Sequence, residues 1–338
     1  MYNETMNEKQ FQTQLLDWYR KNCRTLPFRQ SKNPYHIWIS EIMAQQTRIE
    51  AMIPYFERFI LRLPTLQSLA EVNDEKLHKL WEGLGYYSRA KNLKKCANEC
   101  MELYGGQLPN TKEELVKLPG IGPYTAGAIA SIAFGQVVSA VDGNVIRVFT
   151  RLSDNHNDMT KAKNKKEIEK LVDASLPGSE DISDYNQALM ELGALVCTPQ
   201  SPKCQSCPVK SHCQTKDAQQ LPNIPKKTKR RVEKKSIYVL VSQDRIHIVQ
   251  RENKGLLAGL YGFDEICPKD YNRKEKLEPY THVFSHVQWE MDGTIVWMDK
   301  AGKNYYSLEE IKESFAIPSA FQPFLKQIER KLYEGSSD

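Results

Sequence analysis

Apolar residues recur every three or four positions through most of the first 215 residues. Phe11, Leu15, Leu16, Trp18 and Tyr19 make one such stripe, Trp38, Ile42 and Ile49 a second, and Leu189, Leu192 and Val196 a third. Proline and glycine break the pattern at Pro27, Pro34, Pro54, Pro64, Gly105-Gly106, Pro109 and Pro177-Gly178, so the spacing predicts helix after helix. No strand-like alternation precedes residue 235. Beyond it, SIYVLV (236–241) and RIHIVQR (245–251) flank Ser242-Gln243-Asp244 and predict a β-hairpin. THVFSHVQWEMDG and TIVWM fit further strands, and SLEEIKESF and FQPFLKQIERKL read as two closing helices. The pattern therefore predicts a helical domain over 1–215, a basic linker over 216–235 and a smaller α+β domain over 236–338.

Composition agrees with two domains. The chain has 338 residues, 40% of them hydrophobic, enough for a core in each. No apolar run approaches the ~18 residues of a membrane span. The opening MYNETMNEKQFQ has neither an apolar signal segment nor an Arg-rich presequence, which predicts a cytosolic protein, in a bacterium the cytosol and nucleoid. Eight cysteines there argue for metal ligation before disulfides. Cys23, Cys96, Cys100 and Cys267 are scattered and read as ordinary thiols. The net charge of +5 is compatible with a polyanion partner without requiring one. Of the ten residues 226–235, seven are Lys or Arg. They suit a solvated linker, a strap lying on phosphates, or both.

Chemistry concentrates in three places. Cys197, Cys204, Cys207 and Cys213 form a C-x6-C-x2-C-x5-C run, with Pro208 after the third cysteine. Disulfides, a zinc site and an iron–sulfur cluster are the alternatives, and the 6-2-5 spacing departs from the paired C-x2-C of zinc sites. The loop also carries Pro199, Pro202 and Lys203, a rigid presentation of one cation for a phosphate. Upstream, LPGIG (118–122) joins TKEELVKL to the small-residue helix that starts at Pro123. Gly120 and Gly122 permit a tight turn, and can also leave N–H groups open to a phosphate at the helix N-terminus. Asp142, in AVDGNVIRVFTRL, is placed to cap a helix or to stabilise oxocarbenium-like charge at a glycosidic bond. Glu41, in ISEIMAQQTR, is either a solvated surface residue or a half-buried acid able to donate a proton near neutral pH.

Together these motifs resemble the endonuclease III superfamily of helix-hairpin-helix DNA glycosylases, and within it the MutY-type adenine-specific branch. The matching stretches are LPFR (26–29), NPYHIWISEIMAQQT (33–47), LWEGLGYYSRAKNL (80–93), LPGIGPYTAGAIASIAFG (118–135), VDGNVIRV (141–148) and NQALMELGALVC (186–197). The resemblance implies a mostly α helix-hairpin-helix glycosylase domain with a [4Fe–4S] loop, followed by a smaller α+β Nudix-like domain. It implies double-stranded DNA with A:8-oxoguanine or A:G mispairs as the partner, no membrane, and a monomer. Glu41 would protonate the adenine and Asp142 would stabilise the oxocarbenium ion, with Tyr124 and Asn144 in support. Gln187 would contact the adenine edge, and Arg24, Phe28 and Ile49 would line its pocket. Gln46, Thr47, Leu84 and Tyr86 would fill the space left by the flipped base, with GLGYY as a wedge loop or, alternatively, a plain helix turn. Gly120, Gly122 and Lys203 would meet phosphate.

Bifunctional relatives carry a Lys after the hairpin; Tyr124 stands there and offers no amine for a Schiff base. The resemblance thus implies a monofunctional enzyme. The alternatives are a bifunctional pyrimidine glycosylase/lyase and a non-catalytic damage binder. HVFSH (282–286) resembles the 8-oxoguanine-reading turn of the family, which gives Phe284, Ser285 and His286 that role. A Nudix hydrolase signature is lacking, so no pyrophosphatase activity is expected. LLAGLYGFD (256–264) stands where relatives usually end in Trp-Glu-Phe-Pro.

Overall fold

A computed structural model describes residues 7–225 and 229–334. Its contacts divide the chain into one unit of Met1–Ala70 with Asn92–Lys226 and another of Glu71–Lys91 with Lys227–Asp338. The helices are α1 (Glu8–Asn22), α2 (Pro34–Ala44), α3 (Ile49–Arg62), α4 (Leu66–Glu71), α5 (Asp74–Trp81), α6 (Ser88–Leu103), α7 (Lys112–Leu115), α8 (Pro123–Phe134), α9 (Gly143–Leu152), α10 (Ala162–Ala174) and α11 (Ile182–Leu195). Then follow β1 (Arg231–Ser242), β2 (Arg245–His247), β3 (Val249–Gln250), β4 (Tyr261–Gly262), β5 (Arg273–Lys276), β6 (Tyr280–Val283), β7 (Val287–Trp297), β8 (Tyr305–Tyr306), α12 (Leu308–Ser314) and α13 (Gln322–Glu334). Among the described residues no helix is long and apolar enough to cross a membrane.

In the first unit α11 lies against α1, α8 and α9, and α2 lies against α3 and α8. Phe11, Leu15, Leu189 and Leu192, whose helical spacing predicted a buried stripe, are buried together at the centre with Val148, Phe149 and Tyr185. The helix starts are capped by side chains: Asn7 accepts from Gln10 N, Asn33 from Tyr35 N, and Asp142 from Val145 N. The predicted helix over 111–118 shortens to the single turn of α7, after which Lys117 N and Leu118 N donate only three residues back, to Glu114 O and Leu115 O, in tighter turns leading to Pro119. The hairpin then turns on Gly120 at φ +78°, where a Cβ would also come within 2.7 Å of Asn92 Cβ. Gly122 precedes α8, whose first turn begins with Pro123.

The second unit is a mixed sheet in the order β5-β7-β1-β2-β8, with β6 also on β7. β1 and β7 run parallel from Arg231↔Val287 to Val241↔Trp297. Ile237, Val239, Trp289, Ile295, Phe321 and Phe324 fill its core. The predicted hairpin forms with Val241 opposite Ile246, and its turn places Gln243 at φ +53°. THVFSHVQWEMDG and TIVWM divide differently from the prediction: the break falls at 284–286, and β7 runs unbroken through Gly293.

The domain boundaries also move. The segment read as a 216–235 linker splits in two. Leu221 is buried, its carbonyl accepts from Arg151 Nε (2.9 Å), and Asn223 O accepts from Met159 N (2.9 Å), so the stretch before residue 226 packs on the helical unit. Arg231–Lys235 is already strand, held by pairing with β7 rather than by apolar alternation. Residues 226–228 of the basic run lie outside the described residues. Glu71–Lys91, expected in the helical domain, groups with the second unit. Glu82 accepts from Ile317 N (2.9 Å), and Lys79 Nζ donates to Phe315 O (3.0 Å), which ties the end of α5 to the chain after α12.

Candidate active site

A cleft of about 870 Å³ opens in the helical unit between α2, the start of α3, the first turn of α8, the α9 N-terminus and α11. Glu41, Tyr124, Asp142 and Asn144 all line it, although they come from three separate helices and one cap. Arg24, Phe28, Gln46, Thr47, Ile49 and Gln187 line it too.

Tyr124 Oη donates to Glu41 Oε2 at 2.5 Å. Burial pushes the Glu41 carboxyl up to about 7, the Tyr124 hydrogen bond and Arg29 work against this, and the Asp142 charge adds to it. Glu41 is thus an acid poised near neutral pH, as a general acid requires. Tyr124 is raised well above its ordinary value, first by burial and then by the nearby Glu41 and Asp142 charges, so it remains a neutral donor.

Asp142 fills the capping role that its sequence position suggested, and its second oxygen faces Asn144. Oδ1 accepts from Val145 N (2.8 Å) and caps α9, while Oδ2 accepts from Asn144 Nδ2 (2.7 Å). Burial raises its pKa; the hydrogen bonds from Val145 and Asn144 and the Arg147 charge offset part of the rise. Asn144 is fixed in turn by Arg147, whose Nη2 donates to Asn144 Oδ1 (2.8 Å) and to Gly193 O (2.8 Å), and whose Nε donates to Cys197 O (2.8 Å). Gly193 makes this approach possible, since a Cβ there would lie 2.6 Å from Asn144 Cβ.

Three residues that brace the cleft escaped the sequence reading. Arg147 is one. The others are Glu191, whose side chain is fully buried, and Arg29, which pairs with it at 2.9 Å. Arg24 pairs with the same carboxylate at 2.7 Å. A Glu inside the otherwise small and apolar ALMELGAL, and the i, i+4 arginines Arg147 and Arg151 within VIRVFTRL, were the available signals.

The remaining candidates lie elsewhere. Gly120 and Gly122 form the hairpin, and the N–H groups of the first turn of α8 have no intrahelical partner. Lys203 is exposed beside the cysteines. Leu84 and Tyr86 belong to the second unit. Leu84 is buried, so in this conformation its side chain is not presented to a ligand, a correction to its expected role. Tyr86 is 47% exposed at φ +47°, and Arg89 shapes the turn by donating to the Leu84 (2.9 Å) and Gly85 (3.1 Å) carbonyls. Phe284, Ser285 and His286 form the turn between β6 and β7, closed by Phe284 N donating to Val287 O (2.8 Å). Phe284 packs on His282 and Trp289, which leaves Ser285 and His286 exposed at the tip.

The cysteine loop winds through two short 3-10 turns, Cys204–Ser206 and Lys210–His212. Burial pushes the Cys207 thiol up to about 11, and charge on Cys197, Cys213 and Cys204 pushes the same way. Four sulfurs gathered so closely can all ionise only around a cationic core. Among the described residues no three ligands close tightly on a point fit for one ion. Arg151 braces the loop from inside, donating to Cys197 Sγ (3.2 Å), Thr198 O (2.8 Å) and Pro199 O (2.9 Å).

Three known families match successive stretches of the chain. The HhH-GPD superfamily of base excision DNA repair proteins matches residues 39–174, the iron-sulfur binding domain of endonuclease III matches 197–213, and the NUDIX domain matches 236–327. A solved thermostable thymine-DNA glycosylase is 28% identical with a TM-score of 0.56, covering 61% of this chain and 95% of its own. A non-covalent endonuclease III–DNA complex gives 27% identity and a TM-score of 0.52, covering 62% and 96%. Fold and cleft thus define a helix-hairpin-helix DNA glycosylase with an iron–sulfur loop. An adenine DNA glycosylase of Rattus norvegicus is 38% identical, covering 85% of this chain and 70% of its own length. One from Buchnera aphidicola subsp. Baizongia pistaciae is 38% identical, covering 82% and 83%. The chain belongs to the adenine DNA glycosylase family. Its cofactor is a [4Fe–4S] cluster, and Cys197, Cys204, Cys207 and Cys213 are the residues that would hold it.

The raised pKa of Glu41 has a consequence for stability. The folded state holds this proton more tightly than the unfolded chain does, so the contribution is complete below the ordinary value of 4.5 and is lost as pH rises through about 7. A tenfold difference in proton affinity between the two states corresponds to about 1.4 kcal/mol. Glu41→Gln is therefore expected to melt several degrees above wild type at pH 8, with the gap closing at pH 5. An equal gap at both values would show that the carboxyl is not raised.

Proposed function

We propose that this protein removes adenine paired with 8-oxoguanine, or with guanine, from double-stranded DNA, and that it does so as a monofunctional glycosylase of the cytosol and nucleoid, acting as a monomer. The observation that carries the reading is the Glu41–Tyr124 pair beside Asp142: a proton donor set near pH 7, with a phenol where a lyase would present an amine.

The glycosidic bond is inaccessible inside the base stack, so the adenosine must be flipped into the cleft. Glu41 then donates its proton to N7 of the purine. The C1′–N9 bond breaks with its electron pair going to the base, and positive charge develops on the sugar. The Asp142 carboxylate, oriented by Asn144, stabilises that oxocarbenium ion. Water attacks C1′ and gives its proton to the Glu41 carboxylate, which restores the acid. Gln187 meets the adenine edge, and Arg24, Phe28 and Ile49 wall the pocket. Gln46, Thr47 and Tyr86 occupy the space that the flipped base leaves.

The N–H groups at Gly120, Gly122 and the α8 N-terminus bind phosphate, as does Lys203. None of these contacts reads sequence. The cluster supplies a structural core for its loop when bound. In the second unit, Ser285 and His286 read the oxidised guanine from the exposed turn, with Phe284 fixing its base. Ser285→Ala together with His286→Ala is expected to cut the preference for A:8-oxoguanine over A:G by about 5- to 150-fold, equivalent to about 1–3 kcal/mol for one good base contact. Adenine release from A:G should change little. An unaltered preference would move this recognition to Gln46, Thr47 and Tyr86. Borohydride should trap no wild-type adduct at residue 124, and efficient trapping there would favour the bifunctional reading.

A further inference from the structure

The proposed reaction leaves Glu191 without a part, yet this carboxylate of the cleft wall is held by four donors. Its side chain is wholly buried on α11. It accepts from Arg24 N (3.2 Å), Arg24 Nε (2.7 Å) and Arg24 Nη2 (3.2 Å), and from Arg29 Nη2 (2.9 Å). Burial works to raise its pKa, but hydrogen bonds and charge from the two arginines hold it below the ordinary value, so it is ionised. The two arginines differ in what else they touch. Arg24 Nη1 passes on to Glu50 Oε1 at 3.0 Å. Arg29 Nη1 is buried and has no hydrogen-bond partner among the described residues.

Arg29 is also a charge that reaches Glu41. The groups facing Glu41 are Tyr124 from α8, Asp142 from the cap of α9 and Arg29 from the 3-10 turn Pro27–Arg29. Farther round the same cleft stand Arg24, Arg48 and Glu50 at the start of α3, Lys165 of α10 and Glu191 itself. A guanidinium with an unmet N–H pairs bidentately with any carboxylate it can reach. Were Arg29 released, Glu41 would offer it such a partner, and that pairing would favour the carboxylate over the acid.

We propose that Glu191 is a positioning residue: it tethers the Arg29 guanidinium and so keeps it from pairing with the Glu41 carboxyl across the cleft. The inference rests on Glu41 being the general acid. Glu191→Gln keeps the size of the side chain and removes the charge that holds Arg29. In single-turnover adenine release by the cluster-loaded enzyme, the limb that falls with rising pH should move down by about one pH unit. The rate at pH 8 then drops about tenfold, while the rate at pH 5.5 keeps most of its wild-type value. Adding Arg29→Gln to that variant should bring the limb back up to its wild-type position or above it, which a purely structural role for Glu191 does not predict. If Glu191→Gln does not yield folded protein, Arg29→Gln alone decides: the limb should move up in pH, because the opposing charge is gone. A limb that stays put in Glu191→Gln, or in Arg29→Gln alone, overturns the proposal. Failure of the underlying reading is separate, since then Glu41→Gln would itself retain the limb.

Discussion

Glu41→Gln and Asp142→Asn should each nearly abolish adenine release while leaving the affinity for an A:8-oxoguanine duplex largely intact. For Glu41 the loss is that of a general acid, about 10²–10⁴-fold. Glutamine can still accept from Tyr124 Oη, so the local packing survives and only the proton is missing. For Asp142 the loss is electrostatic. Asparagine can still cap α9 through its carbonyl oxygen, but it presents no negative charge to the developing oxocarbenium ion, and preorganised charge of this kind is worth about 10²–10³-fold. Single-turnover excision measured beside an equilibrium binding assay separates the two effects. A rate near wild type in either variant would remove that residue from the chemistry; a parallel collapse of binding would make it a docking residue instead.

Substitution in the cysteine loop should have the largest effect on the fold. With Cys204→Ser the cluster loses one of its four ligands, and its visible absorbance should fall or vanish. The consequence reaches the core because Arg151, 1% exposed, spends its donors on Cys197 O, Cys197 Sγ, Thr198 O, Pro199 O and Leu221 O. If the loop opens, a buried guanidinium loses most of its partners, which costs several kcal/mol. Arg147 loses its hold on Cys197 O at the same time, and with it the brace on Asn144 and Asp142. Poor yield and a much lower melting temperature are expected, along with reduced excision in whatever protein survives. A variant free of iron that melts as wild type does would show that the cluster leaves the fold unsupported.

Much of this was readable in the chain because the chemistry sits on local signals. The 3.6-residue stripes and the Pro/Gly breaks mark the helices of the first unit. Asp142 is flanked by the Gly143-Asn144 that begin its helix, and the cysteines announce themselves by spacing. What escaped depends on partners distant in sequence. Arg231–Lys235 has no apolar face and becomes strand because β7 supplies the ladder. Gly293 looks like a break but lies inside β7, paired with Ile237. Glu71–Lys91 reads as one more helical segment; bonds such as those of Glu82 and Lys79 to residues 315–317, and of Lys91 to Ala258 O, assign it to the second unit. The Arg24–Glu191–Arg29 cluster joins residues from opposite ends of the helical unit, and no periodicity encodes it.

Monofunctional adenine excision is tested most directly by adenine release from duplexes carrying A:8-oxoguanine, A:G, A:C and A:T, with strand nicking by the wild-type enzyme scored before and after alkali. Rapid release is expected from A:8-oxoguanine, slower release from A:G, little from A:T, and breaks only after alkali. Excision of a pyrimidine in place of adenine, or strand cleavage without alkali, would contradict it.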